Sequence, residues 1–116
     1  MIIYILCVFC QTLFSLQILR GELESIHGIS SIRSLHAVEL DCLSKLTALE
    51  ELAELPDLEY LEIGYCKDIK DWDFLLELKK MKRLNISANS YKDYPPQNIL
   101  DRLREKNIVV PLKGTN

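Results

Sequence analysis

The sequence predicts an α/β solenoid, with parallel strands on one side and helical or 3₁₀ returns on the other. Three observations lead there. The same apolar pattern recurs at Leu13, Leu16 and Ile18, at Leu35, Val38 and Leu40, at Leu58, Leu61 and Ile63, and at Met81, Leu84 and Ile86. Its first members are separated by 22, 23 and 23 residues, a fixed period in the range of structural units stacked on copies of themselves. Ahead of each later pattern the apolar residues fall on every third position, and within it the last two alternate with a polar residue.

The elements follow in order. Each pattern is a short strand, because in a strand alternate side chains face opposite sides. Counting back in threes from Leu35 gives Ile32, Ile29 and Ile26. From Leu58 it gives Leu55, Leu52, Leu49 and Leu46, and from Met81 it gives Leu78, Leu75, Trp72 and Ile69. An α-helix drifts off a three-residue period, whereas a 3₁₀ turn keeps every third side chain on one face. The return from Thr47 to Leu55 is rich in Ala, Leu and Glu, the composition of a true α-helix, and Pro56 would stop it. Pro95 and Pro96 mark a turn into a C-terminal cap. There Asn98 to Lys106 reads as an amphipathic helix, and Ile108, Val109 and Val110 as a last short strand ended by Pro111.

The chain of 116 residues is one domain. It divides into an apolar N-terminal segment (1–12), the repeats (13–94) and the helix–strand cap (95–116). Fourteen basic and 17 acidic residues, mixed along the chain, leave a net charge of −3. No basic stripe is present, which argues against a nucleic-acid partner.

Leu58-Glu59-Tyr60-Leu61-Glu62-Ile63-Gly64-Tyr65-Cys66 and Met81-Lys82-Arg83-Leu84-Asn85-Ile86-Ser87-Ala88-Asn89 both fit L-x-x-L-x-L-x-x-N/C. In these segments the chain resembles the leucine-rich repeat family, in its class of short repeats. The resemblance implies an arc of parallel strands on the concave side. It also implies that Cys66 and Asn89 bond loop backbone and hold their turns. Gly21 and Leu43 stand where Asn or Cys is expected, so the first two turns should be looser, and Val38 replaces a Leu.

Met1 to Leu19 is almost wholly apolar, broken by Gln11, Thr12, Ser15 and Gln17. One reading is a secretory signal or membrane anchor. Against it, no Lys or Arg precedes the run and no small-residue cleavage site follows. The other reading continues the repeat, since Cys10, Cys7, Tyr4 and Met1 keep the three-residue spacing back from Leu13. The repeat reading is preferred and implies a cytoplasmic protein. The alternative implies a membrane-anchored or secreted one.

No assembled catalytic or metal site is legible. Cys7 and Cys10 form a C-x-x-C, but no charge lies near to lower a thiol pKa and no second ligand pair stands at zinc spacing. Cys42, Cys66, His27 and His36 are isolated, and buried inert thiols are expected. Asp71 and Asp73 flank Trp72 in what reads as a solvated return. Asn85-Ile86-Ser87 is a glycosylation sequon that falls on the strand face, and a chance occurrence is the preferred reading. No cofactor is expected.

If the recurring Leu positions face the core, the residues between them face the concave side. The columns are Gln17, Glu39, Glu62 and Asn85; Ser15, Ala37, Tyr60 and Arg83; and Leu19, Asp41, Gly64 and Ser87. From these and their flanks, the candidate partner-binding residues are His36, Glu39, Asp41, Glu59, Tyr60, Glu62, Tyr65, Lys82, Arg83 and Asn85. Tyr and Arg are favoured at binding hot spots. The expected function is non-catalytic recognition of a protein partner.

Overall fold

A computed structural model describes residues 13–113 of the chain. The readings of Met1 to Thr12, including Cys7 and Cys10, lie outside the described residues. The strands β1 (Ser15–Leu19), β2 (Ala37–Asp41), β3 (Tyr60–Gly64) and β4 (Arg83–Ser87), with a two-residue β5 (Leu112–Lys113), form one parallel sheet in chain order. Equivalent residues stand opposite one another. Leu16, Val38, Leu61 and Leu84 make one inward row, and Ile18, Leu40, Ile63 and Ile86 the next. A slip of one residue would turn these rows outward, so burial fixes the register. Ahead of the strands, the Phe14 carbonyl accepts from the N–H groups of His36 and Ala37. The His36 carbonyl accepts from Glu59 and Tyr60, and the Glu59 carbonyl from Lys82 and Arg83.

The chain returns between strands through 3₁₀ turns at Ile29–Ser31, Glu50–Glu54 and Asp73–Glu77. The expected α-helix over Thr47 to Leu55 is not formed. An α-helix would carry each third residue about 60° further round its axis, whereas a 3₁₀ turn stacks them. Leu46, Leu49, Leu52 and Leu55 are all buried, and burying four leucines outweighs the helical preference of Ala and Glu. The other residues spaced by three in the returns are buried too, from Ile26 to Leu35 and from Ile69 to Met81.

Arg20, Cys42 and Tyr65 end their strands in the left-handed region, with φ of 74°, 56° and 53°. Each donates its N–H to the next strand, to Asp41, Gly64 and Ser87 respectively. The residue that follows each is handled differently. Gly21 is exposed, while Leu43 is fully buried and fills its turn with hydrocarbon. The Cys66 thiol donates to the Gly64 carbonyl at 3.4 Å and lies 3.8 Å from that of Leu40. Asn89 departs from expectation. It is exposed, its side chain makes no hydrogen bond among the described residues, and Ala88 is buried in its place.

On the return side, Glu51 reaches back across the turn before it. One carboxylate oxygen accepts from the N–H groups of Gly28 (2.8 Å) and Ser30 (2.9 Å), and the other lies 3.2 Å from His27 Nδ1. Gly28 sits at φ 98°, a conformation suited to glycine.

At the C-terminal end α1 (Gln97–Glu105) begins after Pro96 and buries Ile99, Leu100 and Leu103. It ends in a Schellman motif, with Ile108 N–H on Leu103 O, Asn107 N–H on Arg104 O, and Asn107 left-handed at φ 66°. The last strand is not Ile108 to Val110 as expected. Val109 makes a single bridge to Arg83, and the strand proper is Leu112–Lys113, paired with Ile86 and Ser87. Ile108 and Val110 are drawn into the core instead, and Pro111 interrupts the pairing rather than ending it. Its carbonyl still accepts from Ile86 N–H at 3.4 Å.

Candidate functional site

The side of the sheet opposite the core carries the three expected columns, each in register. Gln17, Glu39, Glu62 and Asn85 lie side by side. So do Ser15, Ala37, Tyr60 and Arg83, and then Leu19, Asp41, Gly64 and Ser87. The burial pattern of the strands alternates accordingly, with the inward rows better covered and the residues between them mostly half-buried, or exposed on β1.

Gly64 is buried, and so is Asn85, at 6 % exposure. Its amide donates to the Tyr60 hydroxyl and to Glu62 Oε1 at 3.3 Å, and its carbonyl accepts from Arg83 Nε at 3.1 Å. Tyr60, Glu62, Asn85 and Arg83 therefore form one bonded group spanning β3 and β4. The same geometry answers the sequon. The Asn85 nitrogen that would carry a glycan is buried and donates twice, so the folded face offers no acceptor there.

Glu39 and Glu62 stand directly opposite each other. The Glu39 carboxyl is held above its usual range by burial, then by the charge of Glu62 and a hydrogen bond with it, then by Asp41. The Asp41 carboxylate lies over Gly64, where a Cβ would collide with it. Any side chain at that position of β3 would make the Asp41 carboxylate shift.

The flanking row also falls together. His36 Nδ1 is 2.7 Å from the Ser34 carbonyl, which assigns the proton to that nitrogen. Its ring stacks on Phe14, with centroids 4.4 Å apart and planes 12° from parallel. Lys82 Nζ lies 3.3 Å from Glu59 Oε1. Tyr65 is exposed at the end of β3. The ten expected residues thus lie on or beside one face: His36 against Phe14, the carboxylates of β2 and β3, the bonded group around Asn85, the Glu59–Lys82 pair, and Tyr65 by itself at the strand end.

Two large exposed apolar residues on or beside this face were not among those expected to bind. Phe14 is 59 % exposed and Leu19 51 %. Leu19 falls in one of the three columns, and a large apolar residue in a solvent column is itself a signal. Phe14 precedes its strand, and periodicity does not say where such a side chain points.

Elsewhere, a pocket of about 130 Å³ is lined by Ser25, Ile26, His27, Ala48, Glu50 and Glu51 in the returns. It is smaller than the usual small-molecule site. Among the described residues no group of three or more His, Cys, Asp and Glu is placed to hold a metal ion. No helix among them is long and apolar enough to cross a membrane. No protein-family model, curated protein or solved structure matches the chain.

Proposed function

We propose that the chain is a small leucine-rich-repeat solenoid whose concave sheet face recognises a protein partner, with no chemistry of its own. The observation that carries this reading is the bonded group of Arg83, Asn85, Tyr60 and Glu62, which fixes an aromatic and a carboxylate on an open sheet face. Side chains already held in place lose little rotamer freedom when a partner arrives, and Tyr is favoured at interface centres. Repeat solenoids commonly bind through the extended surface that stacking creates. On this reading the protein is cytoplasmic.

The test is photo-crosslinking in cells, with a crosslinking residue at Glu62 on the face or at Lys70 in a return. A discrete crosslinked partner from Glu62 and none from Lys70 is the expected result. The reverse pattern would move the site to the returns.

A further inference from the structure

Across the sheet, the solvent face changes character from strand to strand. On the β4 side the cations already have partners. Lys82 is paired with Glu59 at 3.3 Å, and Arg83 is bonded to Asn85. On β2 and β3 the carboxylates of Glu39, Asp41 and Glu62 have no ion-pair partner among the described residues, and two of them face each other directly. The outward residues of β1 carry no charge, and the exposed Arg20 follows them at the strand end. Ser15, Gln17 and Leu19 point outward, and Leu19 and Phe14 are both more than half exposed. Leu19 is a separate observation from the carboxylates and stands beside Asp41, while Phe14 lies at the other end of β1, stacked on His36.

We infer that this face takes an extended, positively charged segment of a protein partner, with Lys or Arg set over Glu39, Asp41 and Glu62 and an apolar neighbour set against Leu19. The inference rests on the sheet-face reading above and gives the partner its chemistry. A bound ammonium or guanidinium would relieve the opposition of Glu39 and Glu62, which no ion pair among the described residues does. Alternate side chains of an extended peptide lie about 7 Å apart, and neighbouring strands about 4.8 Å apart. A cation over Glu39 and an apolar residue two positions on therefore both find their places between β3 and β1. An acidic segment would meet like charge at the centre of the face and be excluded.

The experiment titrates the full isotope-labelled chain, at low salt, with two short synthetic peptides that alternate Arg with Leu or Glu with Leu. The Arg–Leu peptide is expected to shift the backbone amide signals of Leu19, Glu39, Asp41 and Glu62. It should bind at least about tenfold more tightly than the Glu–Leu peptide, as expected for complementary against like charge. The double variant Glu39→Gln/Glu62→Gln should lose about tenfold in affinity for the Arg–Leu peptide, and Leu19→Ser severalfold. The substitutions fall at half-buried or exposed positions outside the core and should keep the fold, which the amide spectra report directly. Equal binding of the two peptides on the sheet face would overturn the choice of a cationic partner while leaving the sheet-face reading in place. Shifts confined to the returns or to α1 would overturn both. No shift with either peptide would overturn the cationic-segment inference alone.

Discussion

Glu39 and Glu62 face each other across β2 and β3, and neither has an ion-pair partner among the described residues. Like charges directly opposite in a sheet destabilise it by a few tenths to about 1 kcal/mol. The burial of Glu39 and the nearness of Glu62 and Asp41 raise its folded pKa above the usual 4.5. The native state then binds more protons than the unfolded state just above that value, so this group's contribution to stability is fullest below 4.5 and is lost as pH rises through the folded value. Glu39→Gln should raise stability at neutral pH by about 0.2–1 kcal/mol. It should also flatten the slope of stability between mildly acid and neutral pH. Urea unfolding across that range checks both, and an unchanged or less stable variant would contradict the opposition.

Asn85 and Tyr60 should prove energetically coupled. Their hydrogen bond crosses from β4 to β3, and Asn85 is nearly closed to water. Tyr60→Phe removes the hydroxyl alone, while Asn85→Ala removes the hub and strands Arg83 and Glu62. A double-mutant cycle should return a coupling of about 0.5–1.5 kcal/mol, the usual net worth of one such bond. Additive effects within error would mean that water replaces the bond at no cost.

How far the sequence revealed these relations depended on whether periodicity governs them. The inward rows and the solvent columns were legible because a parallel strand alternates strictly, so Glu39 opposite Glu62 follows from the spacing alone. The burial of Asn85 was not. Its column is open, and it is closed only because Arg83 and Tyr60 bond over it, a matter of rotamers. The return of Thr47 to Leu55 was misjudged for a related reason. Its composition favours α-helix, but the four leucines spaced by three can all face the core only in a tighter turn. Asn89 fits the repeat pattern yet is exposed, because Ala88 takes the buried place before the chain enters the C-terminal cap.

The inward row sets how much damage one residue can do. Leu61 is fully buried between Val38 and Leu84. Leu61→Ala should cost about 2–5 kcal/mol, a large share of the stability of a chain this size. Leu61→Asp puts a carboxylate where nothing can pair with it and should abolish the cooperative transition. A cooperative melt of Leu61→Asp near the wild-type midpoint would overturn the inward assignment of this row.

The two cysteines of the described sheet should differ in reactivity. Burial pushes the Cys66 thiol up to about 11, so almost no thiolate is present at neutral pH. Cys42 is half-buried, at the end of β2. Alkylation of the folded chain at neutral pH, read by peptide mass, should leave Cys66 unmodified until denaturant is added. Rapid labelling of Cys66 in the folded state would mean that the turn after β3 opens readily.

Glu51 should show a pH dependence opposite to that of Glu39. Burial alone would raise its pKa, but the hydrogen bonds from Ser30 and Gly28 and the charge of His27 outweigh it and hold it below the usual 4.5. Here the unfolded state binds more protons, so the contribution is present above 4.5 and is lost as pH falls through the folded value. The carboxylate serves the N-terminus of the 3₁₀ turn Ile29–Ser31 from the neighbouring return, as a capping side chain does from within a helix. Glu51→Ala should therefore cost about 0.5–2 kcal/mol at neutral pH, and less in acid, where the wild-type carboxyl is itself protonated. Comparing Glu39→Gln with Glu51→Ala over one pH series tests the two assignments together, because each variant should remove a slope of opposite sign. If both changed the profile in the same direction, one of the two carboxylates would be wrongly placed.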